Sequence, residues 1–380
     1  LDTNAGTVTA PVKTLSHACK NIGPSLVLCV PGTYAPFDFR NTDAQGAKLK
    51  ILRAMGACTI ANAADDATAA TWTADGTFPN VWWMPLTPAN KPVRVVLDSS
   101  RLDEEGLPVP LARYVDVTTT NASGLGYFHD VAANRLYVRY QTSSVNTAGI
   151  KSRLRIVTGD ATTKVMALGS KMLFEGDWTM EGVFLQPLQN AGVRAYLYGD
   201  FAGKRPTVAY TVSHAMDSLG ADSYLRKAWA HRPQGDGWHY TDSGGLASNG
   251  VEVDCTATYA GNIAGEPTSP NTSNGSTTHL ACNVLRINGR YARNWGPDIV
   301  DTGTGASWNV GTIAGPGAPS GNAFGLYTTG PAMLLDCCES QGHDTADVAT
   351  TAGGTIQKFA TSYSTTSTAG GGGSITEYVP

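Results

Sequence analysis

Apolar positions fall at helical spacing only once near the start of the chain. Leu15, Ala18, Cys19 and Ile22 stand three or four residues apart, after a polar turn Asp2-Thr3-Asn4-Ala5-Gly6-Thr7. A short amphipathic helix is therefore expected over 12–22. The next segment, Ser25-Leu26-Val27-Leu28-Cys29-Val30, is a continuous apolar run halted by Pro31-Gly32-Thr33-Tyr34, which reads as a buried strand ending in a turn. Between 60 and 150 the pattern changes. Gly126 to Asp130 and Asn134 to Tyr140 alternate apolar and polar residues around a polar turn, as a hairpin does. From about 151 onward, short strands are broken by Gly, Asn, Asp and Pro, with no long helical period.

That punctuation repeats. Val253-Asp254-Cys255, Ile287-Asn288-Gly289, Asn309-Val310-Gly311 and Leu335-Asp336-Cys337 align on a small residue closing a strand, at intervals of 34, 22 and 26 residues. A stacked parallel coil uses roughly twenty residues or slightly more, so the longest interval is one turn plus an excursion between Gly261 and His279. Stacking would make aligned residues neighbours ~4.8 Å apart. Asp254, Asn288 and Asp336 then form a structural ladder at a strand end. Glu252 and Arg286 fall in one column, as a salt bridge or part of a binding groove.

The opening phrase, from Asp2-Thr3-Asn4-Ala5-Gly6-Thr7 through Pro11-Val12-Lys13-Thr14-Leu15 to Val30-Pro31-Gly32-Thr33-Tyr34, resembles the capping segment of right-handed parallel β-helix proteins that act on polysaccharides. The resemblance covers about 34 residues. A weaker likeness extends to Phe128-His129-Asp130 and Asn134-Arg135-Leu136-Tyr137-Val138-Arg139, similar to hairpins of polysaccharide lyases and tailspikes. It implies an all-β, right-handed parallel β-helix: a cap and first coil over 1–59, an inserted β-rich subdomain over 60–150, and the main helix over 151–380. It also implies a bacteriophage tailspike-like depolymerase that cleaves a bacterial capsular or extracellular polysaccharide. Such a protein would be a homotrimer, extracellular or carried on the phage tail.

Composition narrows the alternatives. Charged residues make up 15% of the chain, against ~25% in typical globular proteins, and there are 43 glycines and 20 prolines, so long charged helices are not expected. A net charge of −4 offers no basic stripe for nucleic acid. No apolar run is long enough to span a membrane, and the first residues lack the features of a signal peptide, so the chain is expected to be soluble, trimmed at its start and not membrane-inserted. Seven cysteines without C-x-x-C spacing argue against a thiolate metal cluster. They read as buried small hydrophobes that fit folding in a reducing cytoplasm, with a Cys19–Cys29 disulfide left open. No metal or cofactor is expected, and calcium is left open. G-x-S-x-G, P-loop, H-E-x-x-H and dinucleotide motifs do not occur.

Candidate chemistry gathers in two phrases. In His231-Arg232-Pro233-Gln234-Gly235-Asp236-Gly237-Trp238-His239-Tyr240, Asp236 and His239 are expected to be catalytic, with Trp238 and Tyr240 as sugar platforms. In Tyr291-Ala292-Arg293-Asn294-Trp295-Gly296-Pro297-Asp298-Ile299-Val300-Asp301, the catalytic candidates are Asp298 and Asp301. Arg293, Trp295, Glu252, His279 and Trp308 are expected to bind substrate. Paired carboxylates favour glycoside hydrolysis, which needs a proton donor and a base or nucleophile. β-Elimination, using basic residues between Arg226 and Arg232, is the alternative. A non-catalytic glycan-binding spike and a purely structural stack are the rivals from other classes.

Overall fold

A computed structural model describes residues 7, 11–188, 194–199, 204–261, 273–317, 324–330, 332–359, 362–364 and 366–378. The described residues contain three short helices and are otherwise strands and turns, so the protein is all-β. Three parallel sheets of 11, 10 and 10 strands dominate. The chain visits them in rotation. Leu26–Cys29 belongs to the first sheet, Gly32–Tyr34 to the second and Asp38–Arg40 to the third, and the next passage pairs alongside the last. Each such passage is called a circuit below. The repetition is consistent with a solenoid and runs to the last strand, Ser374–Tyr378, which pairs with Thr355–Phe359 in the first sheet.

Alternation within these short strands explains why they stack. In Asn283–Ile287 only Val284 and Arg286 are buried, and in Ala332–Asp336 only Met333 and Leu335 are. One side of such strands faces a shared interior built from Phe174, Trp178, Trp238, Tyr240 and Tyr291 among others. At the start, Leu15 and Cys19 of the helix Leu15–Asn21 join that core. The helix begins later than residue 12 because Thr14 caps it, its Oγ1 accepting from His17 N at 3.2 Å. All seven cysteines are free, so Cys19 and Cys29 are not bridged. Burial pushes the Cys19 thiol up to about 12, which keeps it protonated.

The expected ladder exists, with its register corrected. Asp254 and Asn288 do stack, but the next members are Gly311 and Cys337 rather than Val310 and Asp336, since Val253, Ile287, Val310 and Asp336 are the residues in register. The column needs a left-handed backbone. Lys227, Asp254, Asn288, Gly311 and Cys337 have φ of 51°, 52°, 51°, 61° and 52°, a conformation in which Asn, Asp and Gly are enriched.

Residues 61–163 form a second compact unit, inserted between the strands Cys58–Ala61 and Lys164–Leu168. It is antiparallel. The expected hairpin is present as Leu125–Asp130 paired with Arg135–Tyr140, extended by Val81–Pro85. The unit reaches beyond residue 150 because Leu154–Thr158 pairs antiparallel with Val93–Leu102 instead of entering the parallel stack. Trp72, Tyr127, Leu136 and Val138 anchor its separate core. Among the described residues no helix is long and apolar enough to cross a membrane. Most of the expected excursion, 262–272, lies outside the described residues.

Candidate active site

Two neighbouring strands of the third sheet build the site. Met216–Leu219 pairs with Trp238–Thr241 so that Asp217 lies opposite His239. Met216, Ser218, Trp238 and Tyr240 are buried, which leaves Asp217 and His239 on the outer face. His214 and Asp236 occupy the turns just before these strands. A Cβ at Gly235 would stand 2.8 Å from His214 Nδ1, so glycine is what lets the turn approach the ring.

The side chains interlock. His239 Nδ1 lies 2.8 Å from Asp217 Oδ1. Asp217 Oδ2 accepts from Gln186 Nε2 at 2.9 Å, and Gln186 Oε1 accepts from Lys164 Nζ at 2.6 Å. The His214 and His239 rings stack 4.0 Å apart and 7° from parallel, and the His279 ring lies 4.9 Å from His239. His279 Nδ1 is 2.9 Å from Thr302 Oγ1. Asp236 Oδ1 accepts from Asn274 N at 2.7 Å and from Asn274 Nδ2 at 3.0 Å, while Oδ2 stands 3.3 Å from His214 Nδ1. Burial opposes ionisation of Asp236, but His214, His239 and the Asn274 backbone N–H outweigh it and hold the carboxyl below its usual range. Asp217 is lowered in the same way, with His239 overcoming burial. Among the described residues, the donor atoms of His214, Asp236 and His239 lie within 4.8 Å of one another, close enough to hold a metal ion.

Of the residues expected from sequence, Asp236, His239 and His279 therefore come together. His214 and Asp217 were missed. The signal for them was present, because His214-Ala215-Met216-Asp217 precedes Asp236-Gly237-Trp238-His239 by 22 residues, one circuit.

The other candidates lie elsewhere, and several are interior. Trp238 and Tyr240 are 0% exposed and belong to the interior, so they cannot serve as sugar platforms. Trp308 is exposed, but on the first sheet. Arg293 lies 5.8 Å from the Tyr259 ring, at a left-handed corner after the second sheet, and Trp295 is half-buried with its backbone N–H donating to Ala260 O. Asp301 and Glu252 are wholly buried around Arg286. Arg286 Nη2 donates to Asp301 Oδ1 at 3.0 Å, and its Nε lies 3.8 Å from Glu252 Oε1. Ser276 Oγ donates to Glu252 Oε1 at 2.7 Å, Tyr291 Oη to Glu252 Oε2, and Ser307 Oγ to Asp301 Oδ2 at 2.5 Å. Burial raises the Glu252 carboxyl, against the pull of Arg286.

Asp298 is interior too. Its Oδ2 lies 3.0 Å from His343 Nε2, and His343 Nδ1 lies 2.8 Å from Asp347 Oδ1. Burial lowers the His343 pKa, but the two carboxylates overcome it and the net shift is upward. A raised folded pKa stabilises the protein fully below the ordinary histidine range of about 6.5 and progressively less as pH rises through the folded value. The melting temperature is therefore expected to fall between neutral and mildly alkaline pH, and His343→Gln to flatten that fall. An identical slope in the variant would show that this array does not set the dependence.

No family model, curated protein or solved structure matches the chain.

Proposed function

We propose that the three sheets close into a right-handed parallel β-helix and that the outer face of its third sheet cleaves a bacterial capsular or extracellular polysaccharide. Parallel crossovers are right-handed in nearly all known cases, which supports the handedness. The observation that carries the activity is the gathering of His214, Asp217, His239 and His279 at the outer face of the third sheet, with the buried carboxylate of Asp236 against His214. Two ionised carboxylates can activate water, and imidazoles can donate a proton near neutral pH, which together suffice for glycoside hydrolysis. The excess of imidazoles over carboxylates favours a second reading, β-elimination on a uronate-containing glycan.

The test is incubation with a panel of capsular and extracellular polysaccharides, following reducing ends and the ultraviolet absorbance of a new double bond. Reducing ends alone mean hydrolysis, and both signals mean elimination. Binding without either product would leave a receptor-binding spike, and no binding at all a structural stack.

The proposed assembly is the homotrimer of a phage tailspike-like protein, virion-associated or extracellular. Support comes from the outer face of the first sheet, where Val251, Leu285, Trp308 and Leu334 are in register on successive strands. Trp308 is 46% exposed there, and a continuous apolar stripe of this kind marks an interaction surface. Trp308→Glu is expected to shift the protein towards monomers in light scattering at micromolar concentration. A wild-type chain that is already monomeric there would count strongly against the trimer.

A further inference from the structure

The imidazole and carboxylate group has a division of labour that proton transfer alone does not require. Asp236 is 2% exposed, and its Oδ1 is taken up by both Asn274 donors, which leaves Oδ2 turned towards His214. His239 commits Nδ1 to Asp217, so its unshared nitrogen is Nε2, and Asp217 is itself fixed by Gln186. A carboxylate holding the far nitrogen of an imidazole is the arrangement that orients metal-ligating histidines and raises their basicity.

We infer that His214, Asp236 and His239 form a site for a first-row transition ion such as Zn²⁺, tying two successive circuits together. Two nitrogens and one carboxylate oxygen match the ligand preferences of zinc and its neighbours. They do not match calcium, which takes six to eight oxygens. Three protein ligands leave a fourth position for water or substrate on the outer face.

Distances set what must move. The three donor atoms lie within 4.8 Å of one another. Ligands on zinc bonds of ~2.0–2.1 Å at a tetrahedral angle are ~3.3 Å apart. The Asp236 Oδ2 to His214 Nδ1 separation of 3.3 Å already meets that spacing, but Nδ1 also accepts from Asp236 N at 2.9 Å, a bond that ligation through this nitrogen must release. A metal lies in the plane of each imidazole it binds, so ligation requires one ring to tilt out of the 7° stack. His214 is the more exposed of the two rings, 24% against 13% for His239, so the tilt falls to it at the cost of its contact with Asp236 N. The inference rests on the proposed cleavage site only in placing the ion where substrate is read to bind.

The test uses the full chain stripped with a chelator, titrated with zinc chloride by calorimetry and with cobalt chloride by visible absorption. One ion per chain at micromolar affinity or tighter is expected, with calcium chloride giving no heat. His214→Ala and Asp236→Asn should weaken zinc by about a hundredfold or more, and Asp217→Asn, a positioning change, by ~10–100-fold. Absence of saturable binding, or equal affinity in His214→Ala and Asp236→Asn chains of native circular dichroism, overturns the site. If those variants do not fold, histidine ring nitrogen resonances of the wild-type chain decide: zinc must shift His214 and His239 and leave His17 and His129 in place. Zinc binding without cleavage of any glycan would leave the metal site standing and remove only the cleavage reading.

Discussion

Asp236→Asn and His239→Ala are each expected to lower glycan cleavage per folded molecule by ~10²–10⁴-fold, the usual cost of losing a positioned acid–base group, while Asp236→Asn also lowers the melting temperature because the fold stabilises that buried carboxylate. Asp236 lies in a turn and His239 faces outward, so neither removes apolar packing. The contrast is with Asp298→Asn, which alters an interior contact to His343 and should leave turnover per folded molecule near wild type. Product release measured under single-substrate saturating conditions decides. If Asp236→Asn and His239→Ala both retain near wild-type turnover, the third-sheet face is not where the bond breaks, and the basic segment from Arg226 to Arg232 becomes the better candidate.

Arg286→Met is expected to cost about 3–5 kcal/mol of stability, read from the denaturation midpoint, because it strands the buried carboxyls of Glu252 and Asp301 without their cation. Arg286 is 0% exposed, and Asp301 and Glu252 outweigh the opposing effect of burial to raise its pKa, so the guanidinium stays charged. Replacing all three together by apolar residues of similar volume should recover most of the loss, since a buried ionic set is often no more stabilising than good packing. A single Arg286→Met chain within ~1 kcal/mol of wild type would mean that water reaches these carboxylates after all.

Much of the architecture was legible because turn chemistry repeats more faithfully than strand sequence. Asp254 and Asn288 were aligned correctly since both satisfy the same left-handed corner. Gly311 and Cys337 fill that corner by other means, a missing Cβ in one case and tolerated strain in the other, so a column drawn on the small residues Cys255, Gly289, Gly311 and Cys337 slips by one residue between Gly289 and Gly311. A one-residue slip exchanges the two faces of a strand. The site was harder to read for the same reason. Trp238-His239-Tyr240 could point its aromatic pair or its imidazole outward, and only the partners across the sheet decide. The interior also accepts charge, so Glu252, Arg286 and Asp301 looked like surface groups in sequence although a satisfied network encloses them.

The inserted unit bears on the entropy of folding. Leu49–Ala54 pairs directly with Lys171–Glu175, so this one step of the first sheet closes over 122 residues, whereas Asn249–Val253 and Asn283–Ile287 are 34 apart. Closing so long a loop with an unfolded chain would cost about 1 kcal/mol more than an ordinary step, since the entropy grows with the logarithm of length. The insertion removes that penalty once it has its own core, because Asn62 Nδ2 donates to Thr163 Oγ1 at 3.0 Å and Thr158 Oγ1 to Ala63 O at 3.1 Å, bringing its two ends together. With its ends joined in this way, the folded insertion spares the first sheet most of the loop entropy of its longest step among the described residues.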